Sequence, residues 1–206
     1  MTDFLSFRKN LSKFSIFSTK DIRKIYPDFN TIQLNRWQRK GYIKRLLKGY
    51  YIFEDTQISK TLLYEISNTI YRPSYISMEA ALQFYGLIPE GVYTITAITT
   101  KKTKKFEILN DFQLSYRSVK PELFWGYKEF KDLEYGPLIA KPEKALFDFI
   151  YLNDQYRTLE DFEGLRINVD EIKKLGVRLE DFGAMINLVN KQKNKERIAS
   201  FIKFLT

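Results

Sequence analysis

The chain has 206 residues, 34 Lys and Arg against 25 Asp and Glu, a formal charge of +9, and neither histidine nor cysteine. That composition excludes disulfides, thiolate metal sites and every mechanism that needs an imidazole, from serine–histidine catalysis to histidine-bound zinc. At 44% hydrophobic and 16% aromatic it has the means to build a core, so it does not read as a disordered chain.

The charge is uneven. Residues 1–55 hold 12 Lys/Arg and 5 Asp/Glu, a net of +7, whereas the other 151 residues hold 22 and 20, a net of +2. A basic segment on a nearly neutral body points to a module facing a polyanion, nucleic acid foremost. The opening stretch MTDFLSFRKNLSKF lacks the unbroken apolar run of a secretory signal, and no run approaches the ~20 residues of a spanning helix. The expectation is a cytoplasmic protein without a membrane partner.

Along the chain, Phe4, Leu5, Phe7, Leu11 and Phe14 recur at near-helical spacing and predict a first helix. Ser18 or Thr19 would cap a second, with Asp21 in its first turn, Ile22 and Ile25 inward and Pro27 beyond its end. Asn30 would cap a third, TIQLNRWQRK, closed by Gly41 in a left-handed conformation. YIKRLL, the turn KG and YYIF then read as a hairpin. Three helices and a hairpin in about 55 residues is the order of a winged helix-turn-helix, in which the third helix enters the major groove.

On that third helix Leu34 and Trp37 share a face that packs inward, while Asn35, Arg36 and Arg39 point away, with Gln33 and Lys40 beside them. Arginine reads guanine bidentately and Asn or Gln reads adenine, so Gln33, Asn35, Arg36 and Arg39 are the expected base contacts. Thr31, Lys40, Lys44, Arg45 and Lys48 are the expected phosphate contacts. Ile32 also points outward by this count, which implies either a contact with a thymine methyl or a helix rotated from this estimate. A solvated basic helix and hairpin is the plainer reading of the same residues.

A second part is expected over 56–206. Leu62, Ile66 and Ile70 predict a helix, RPSY breaks it, and SMEAALQFYG predicts a short capped helix ended by Gly86. VYTITAITT, KFEIL, FQLSYRSV, FWGYKEF and GPLIA read as strands. KKTK reads as a basic turn, and Lys101, Lys102, Lys104 and Lys105, in and just after it, form a secondary phosphate contact or simply a solvated hairpin end. Pro142 opens the helix PEKALFDFIYL. The tail from residue 180 predicts one or two helices, with Lys191, Lys193 and Lys195 at a solvated junction. The fold class is α+β, a winged helix-turn-helix over 1–55 followed by a mixed α+β domain over 56–206.

Chemistry-bearing motifs are few. No glycine-rich phosphate loop is present. Glu79, Glu143 and Asp148 lie in apolar helical stretches. Lys144 and Asp148, four apart, read as a surface ion pair, with a Mg²⁺ nuclease site at Glu143, Lys144 and Asp148 as the alternative. The reading therefore expects no catalytic residues, no metal and no cofactor.

Two separated segments carry a resemblance. YRPSYISMEAALQFYGLIPE (residues 71–90) and IAKPEKALFDFIYL (residues 139–152) resemble the signature segments of AbiEi-type antitoxins of abortive-infection, type IV toxin–antitoxin systems. Tyr75, Ser77, Glu79, Ala81, Leu82, Gly86, Leu87, Ile88, Pro89 and Glu90 are in step in the first. Ala140, Pro142, Glu143, Lys144, Ala145, Leu146 and Asp148 are in step in the second, and GYIKRLLKGYYIF is similar to the family's wing. Ala80-Ala81 and Gln83-Phe84-Tyr85 depart from it conservatively, and nothing after Tyr156 matches a motif.

The resemblance implies a winged-helix repressor that binds inverted repeats in its own promoter. It also implies an antitoxin that counteracts a nucleotidyltransferase-like toxin (AbiEii) without a stable complex. A ligand-responsive winged-helix regulator with no antitoxin role stays open beside it.

Overall fold

The computed structural model describes residues 3–89, 91, 93–131, 133 and 135–206. Glu90, the last residue of the first signature segment, and Val92, the first of a predicted strand, lie outside the described residues.

The basic first part folds as helix α1 (Phe4–Leu11), a two-residue strand β1 (Phe17–Ser18), helices α2 (Thr19–Ile25) and α3 (Ile32–Arg39), and strands β2 (Ile43–Leu47) and β3 (Tyr50–Phe53). Its boundaries follow local chemistry. Ser18 and Asp21 exchange side-chain and backbone bonds in a capping box at α2. Asn30 Oδ1 accepts from the Ile32 N–H at 2.9 Å, so it serves α3 from one position further back than expected. Gly41 takes φ +66 and ends that helix. The strands pair antiparallel in the order β1-β3-β2. β1 is not predicted, since two residues are too few to show a period.

Phe7, Leu11, Phe17, Ile22, Phe29, Leu34, Trp37, Ile43, Tyr51 and Phe53 form a small aromatic-rich core, with the Phe7 and Trp37 rings 4.4 Å apart. Burying a side chain of this size contributes roughly 1.5–3 kcal/mol, which is what holds α3 in place. Ile16, Leu46 and Ile52 belong instead to the larger core of the rest of the chain. Ser15 Oγ donates to the Glu65 carboxylate at 2.5 Å across the same seam.

The body consists of α4 (Lys60–Ile70), β4 (Ser74–Ile76), α5 (Met78–Phe84), β5 (Thr94–Thr99), β6 (Lys104–Ile108), β7 (Phe112–Ser118), β8 (Tyr127–Glu129), β9 (Leu138–Ala140) and α6 (Pro142–Leu152). Six strands make one mixed sheet in the order β6-β7-β5-β4-β9-β8, parallel at β5/β7 and β4/β9 and antiparallel elsewhere. The segment expected only to break α4 turns out to contain β4, in the middle of the sheet. All three of its residues are buried, so no polar alternation marks it. A second correction concerns the basic turn: Lys104 lies in β6, one residue before the expected start of that strand at Lys105.

The tail holds α7 (Leu159–Gly164), α8 (Val169–Lys174), α9 (Asp181–Asn187) and α10 (Gln192–Leu205). The last two are the pair expected from residue 180, and Lys191 is the N-cap residue between them. Arg197 of α10 is buried and donates to the carbonyls of Ile150 at 2.5 Å, Asn153 at 2.6 Å and Tyr151 at 3.3 Å. It thus satisfies acceptors that the end of α6 leaves open. The fold is mixed α+β, and among the described residues no helix is long and apolar enough to cross a membrane.

Candidate nucleic-acid interface

The α3 surface is set by what α3 buries. Leu34 and Trp37 are 1% and 5% exposed. At 100° per residue this leaves Asn35, Arg36 and Arg39 on the outer side, all exposed, with Thr31 and Lys40 at the two ends. Gln33 is half-buried beside Arg36, at a concavity of about 520 Å³ between α3 and the turn that precedes it. Ile32 is exposed at that edge, as its angular position requires.

The hairpin stands next to α3. Tyr42 N–H donates to the Trp37 carbonyl at 2.9 Å, so β2 leaves the helix end directly. The turn is closed by Gly49 at φ +88, and Thr19 N–H donates to the Gly49 carbonyl at 3.0 Å, which ties the hairpin tip to the start of α2. Arg45 and Lys48 are exposed on this hairpin. Lys44 is differently placed: it is half-buried, pairs with the Glu54 carboxylate at 3.1 Å and donates to the Glu54 carbonyl at 3.0 Å. Lys40 lies over the Tyr42 ring, 5.9 Å from its centroid.

The other lysine cluster is split. Lys104 faces Tyr116 and Lys105 faces Ser115 across the β6/β7 pair, and successive side chains of a strand point to opposite faces. Lys101 and Lys104 lie over the Tyr71 and Phe106 rings at 5.4 and 5.1 Å, on the Tyr116 side. Lys102 is exposed in the turn. These four do not form one patch.

The signature segments meet at a buried polar cluster, and here the expected surface pair is corrected. Lys144 and Asp148 both have 0% exposure and form an ion pair. Tyr75 Oη and Ser77 Oγ donate to Asp148 Oδ2 at 3.0 and 2.8 Å. Ser77 occupies the cap position of α5, but its hydroxyl serves Asp148 and makes no cap bond. Burial pushes the Asp148 carboxyl up from its ordinary value, against the pull of the Lys144 ammonium and the Ser77 and Tyr75 hydroxyls. Helical spacing shows that Lys144 and Asp148 share a face but not whether the face is covered. Nothing local announces Tyr75 and Ser77 as partners.

With Lys144 and Asp148 sealed from solvent, neither can reach a phosphodiester. Among the described residues no three acidic side chains gather as a metal site.

No protein-family model and no curated protein matches this chain.

Proposed function

We propose that the chain is a winged-helix DNA-binding repressor and the antitoxin of an AbiEi-type pair. The single observation that supports DNA binding best is the α3 surface. Asn35, Arg36 and Arg39 stand exposed on a helix anchored by Leu34 and Trp37, beside a hairpin that carries Arg45 and Lys48. In this reading Arg36 and Arg39 read base edges with Asn35 and Gln33, and Thr31, Lys40, Arg45 and Lys48 hold phosphates. Lys44 contributes less, because Glu54 already takes its ammonium.

The antitoxin half rests on the resemblance of residues 71–90 and 139–152. The cluster of Tyr75, Ser77, Lys144 and Asp148 gives those segments a shared structural role, joining β4 and α5 to α6. It supplies no reactive centre. Toxin neutralisation in this reading belongs to the body, with no cofactor.

Fluorescence anisotropy of the full chain at ~150 mM salt, on its own upstream DNA and on a scrambled duplex of equal length, tests the repressor half. A preference of ~10³-fold or more is the expected outcome, and equal affinity for both duplexes would end it. Co-expression with the nucleotidyltransferase-like toxin that this reading requires tests the antitoxin half through restored growth. A repressor that binds its operator but does not restore growth would be the ligand-responsive regulator.

A further inference from the structure

One face of the sheet is polar on its β6–β7 side. Register places Lys105, Ser115 and Thr96 side by side on β6, β7 and β5, with Arg117 two residues after Ser115 and Thr94 two residues before Thr96 on the same face. α5 lies over this face at β5, where Thr96 Oγ1 donates to the Ser77 carbonyl at 2.6 Å and accepts from the Ala80 N–H at 3.1 Å. Together with Met78 and Glu79 these residues line a cavity of about 420 Å³, within the range of small-molecule sites.

Three features of this cavity lack an internal explanation. Glu79 Oε2 is buried and has no hydrogen-bond partner among the described residues, although a buried carboxylate oxygen is normally satisfied. Lys105 has no ion-pair partner among the described residues. Arg117 is steadied by a 2.6 Å bond from Nη2 to the Leu152 carbonyl and has no ion-pair partner among the described residues either. Beside Glu79, Met78 holds φ +54, a left-handed conformation that a side-chain-bearing residue adopts only under constraint and that clusters at ligand sites.

We infer that this cavity binds a nucleoside monophosphate. Lys105 and Arg117 over the Ser115 hydroxyl take the phosphate, by charge-assisted hydrogen bonds. Glu79 takes an N–H of the base, which supplies the donor its buried oxygen lacks. β7 lies between β6 and β5, so the Lys105 strand and the strand under α5 stand about 9–10 Å apart. A molecule with its acid at one end and its N–H donors at the other suits that separation. An α-amino acid, with both charges on one carbon, suits it less. The site does not depend on the DNA-binding reading, and it involves neither α3 nor the hairpin.

Isothermal titration calorimetry of the full chain with AMP, GMP, CMP, UMP and inorganic phosphate tests it. At least one nucleotide binds about tenfold or more tighter than phosphate, and Glu79→Gln removes about that tenfold while leaving phosphate affinity unchanged. Lys105→Ala, at an exposed position, weakens both and keeps the test open if Glu79→Gln fails to fold. No binding by any of the four nucleotides overturns the proposal. So does phosphate binding as tightly as every nucleotide.

Discussion

Lys144 and Asp148, one turn apart on α6, form an ion pair that solvent reaches at neither end. The methylenes of Lys144 run beneath Gly126, and its ammonium lies 5.9, 5.8 and 5.1 Å from the ring centroids of Tyr75, Trp125 and Phe147. Two charges withdrawn from water are costly unless paired and hydrogen-bonded, and here Asp148 accepts from Lys144, Tyr75 and Ser77 at once. Removing one partner strands the other. Lys144→Met and Asp148→Leu are each expected to destabilise the protein by ~3–5 kcal/mol in urea unfolding, with the double variant losing less than the sum. It still loses something, because the Tyr75 and Ser77 hydroxyls are left without their acceptor. Strictly additive losses would show that the pair does not act as a unit.

Gly126 allows a second measurement at the same place. It holds φ +78, and an added Cβ would stand 2.9 Å from Lys144 Cγ, on a side chain that its buried partners keep from moving. Gly41 holds φ +66, and a Cβ added there would meet nothing within 4 Å among the described residues. Gly41→Ala is therefore expected to cost only the left-handed backbone term, about 1–2 kcal/mol. Gly126→Ala should cost distinctly more. Equal losses in thermal unfolding would mean that Lys144 yields without resistance.

On the α3 surface proposed to face DNA, Arg36→Ala is expected to cost ~1–3 kcal/mol on the operator and to blur specificity at one base. Lys48→Ala should weaken all sequences alike and flatten the log–log salt slope by about one unit. Lys44→Ala should change that slope less, since Glu54 already neutralises the ammonium. Anisotropy titrations over a salt series separate the three. If all three variants bind as the parent does, the surface is elsewhere.

Acid sensitivity is expected at α7. The backbone N–H groups of Arg157 and Thr158 donate to Asp161, and they hold its carboxyl below the ordinary value of 3.8. Because the folded value is the lower one, the stabilisation is complete above about pH 3.8 and is lost as pH falls through the folded value. An NMR titration should place the Asp161 midpoint below 3.8, with the Arg157 and Thr158 amide signals moving alongside it. A midpoint at or above 3.8 would remove the cap from the account.

What the sequence determined by itself is what a few neighbouring residues decide together. The capped start of α2 at Ser18 or Thr19 with Asp21 in its first turn, the left-handed stop at Gly41, the Leu34–Trp37 face of α3 and the opening of α6 at Pro142 each depend on residues within about one helical turn of the backbone they serve. The outward set Asn35, Arg36 and Arg39 was legible for the same reason, since a buried face defines its opposite.

Tertiary structure alone decided the rest. β4 has its place because β5 and β9 flank a three-residue stretch too short to carry a period. Lys104 and Lys105 part to opposite faces because their segment pairs with β7 and does not turn. Asp148 meets Ser77 and Tyr75 from 71 and 73 residues away, and only that long-range contact makes an ordinary-looking surface pair into a buried one. Spacing along a helix says which side chains share a face. What covers that face is settled by partners the local pattern does not contain.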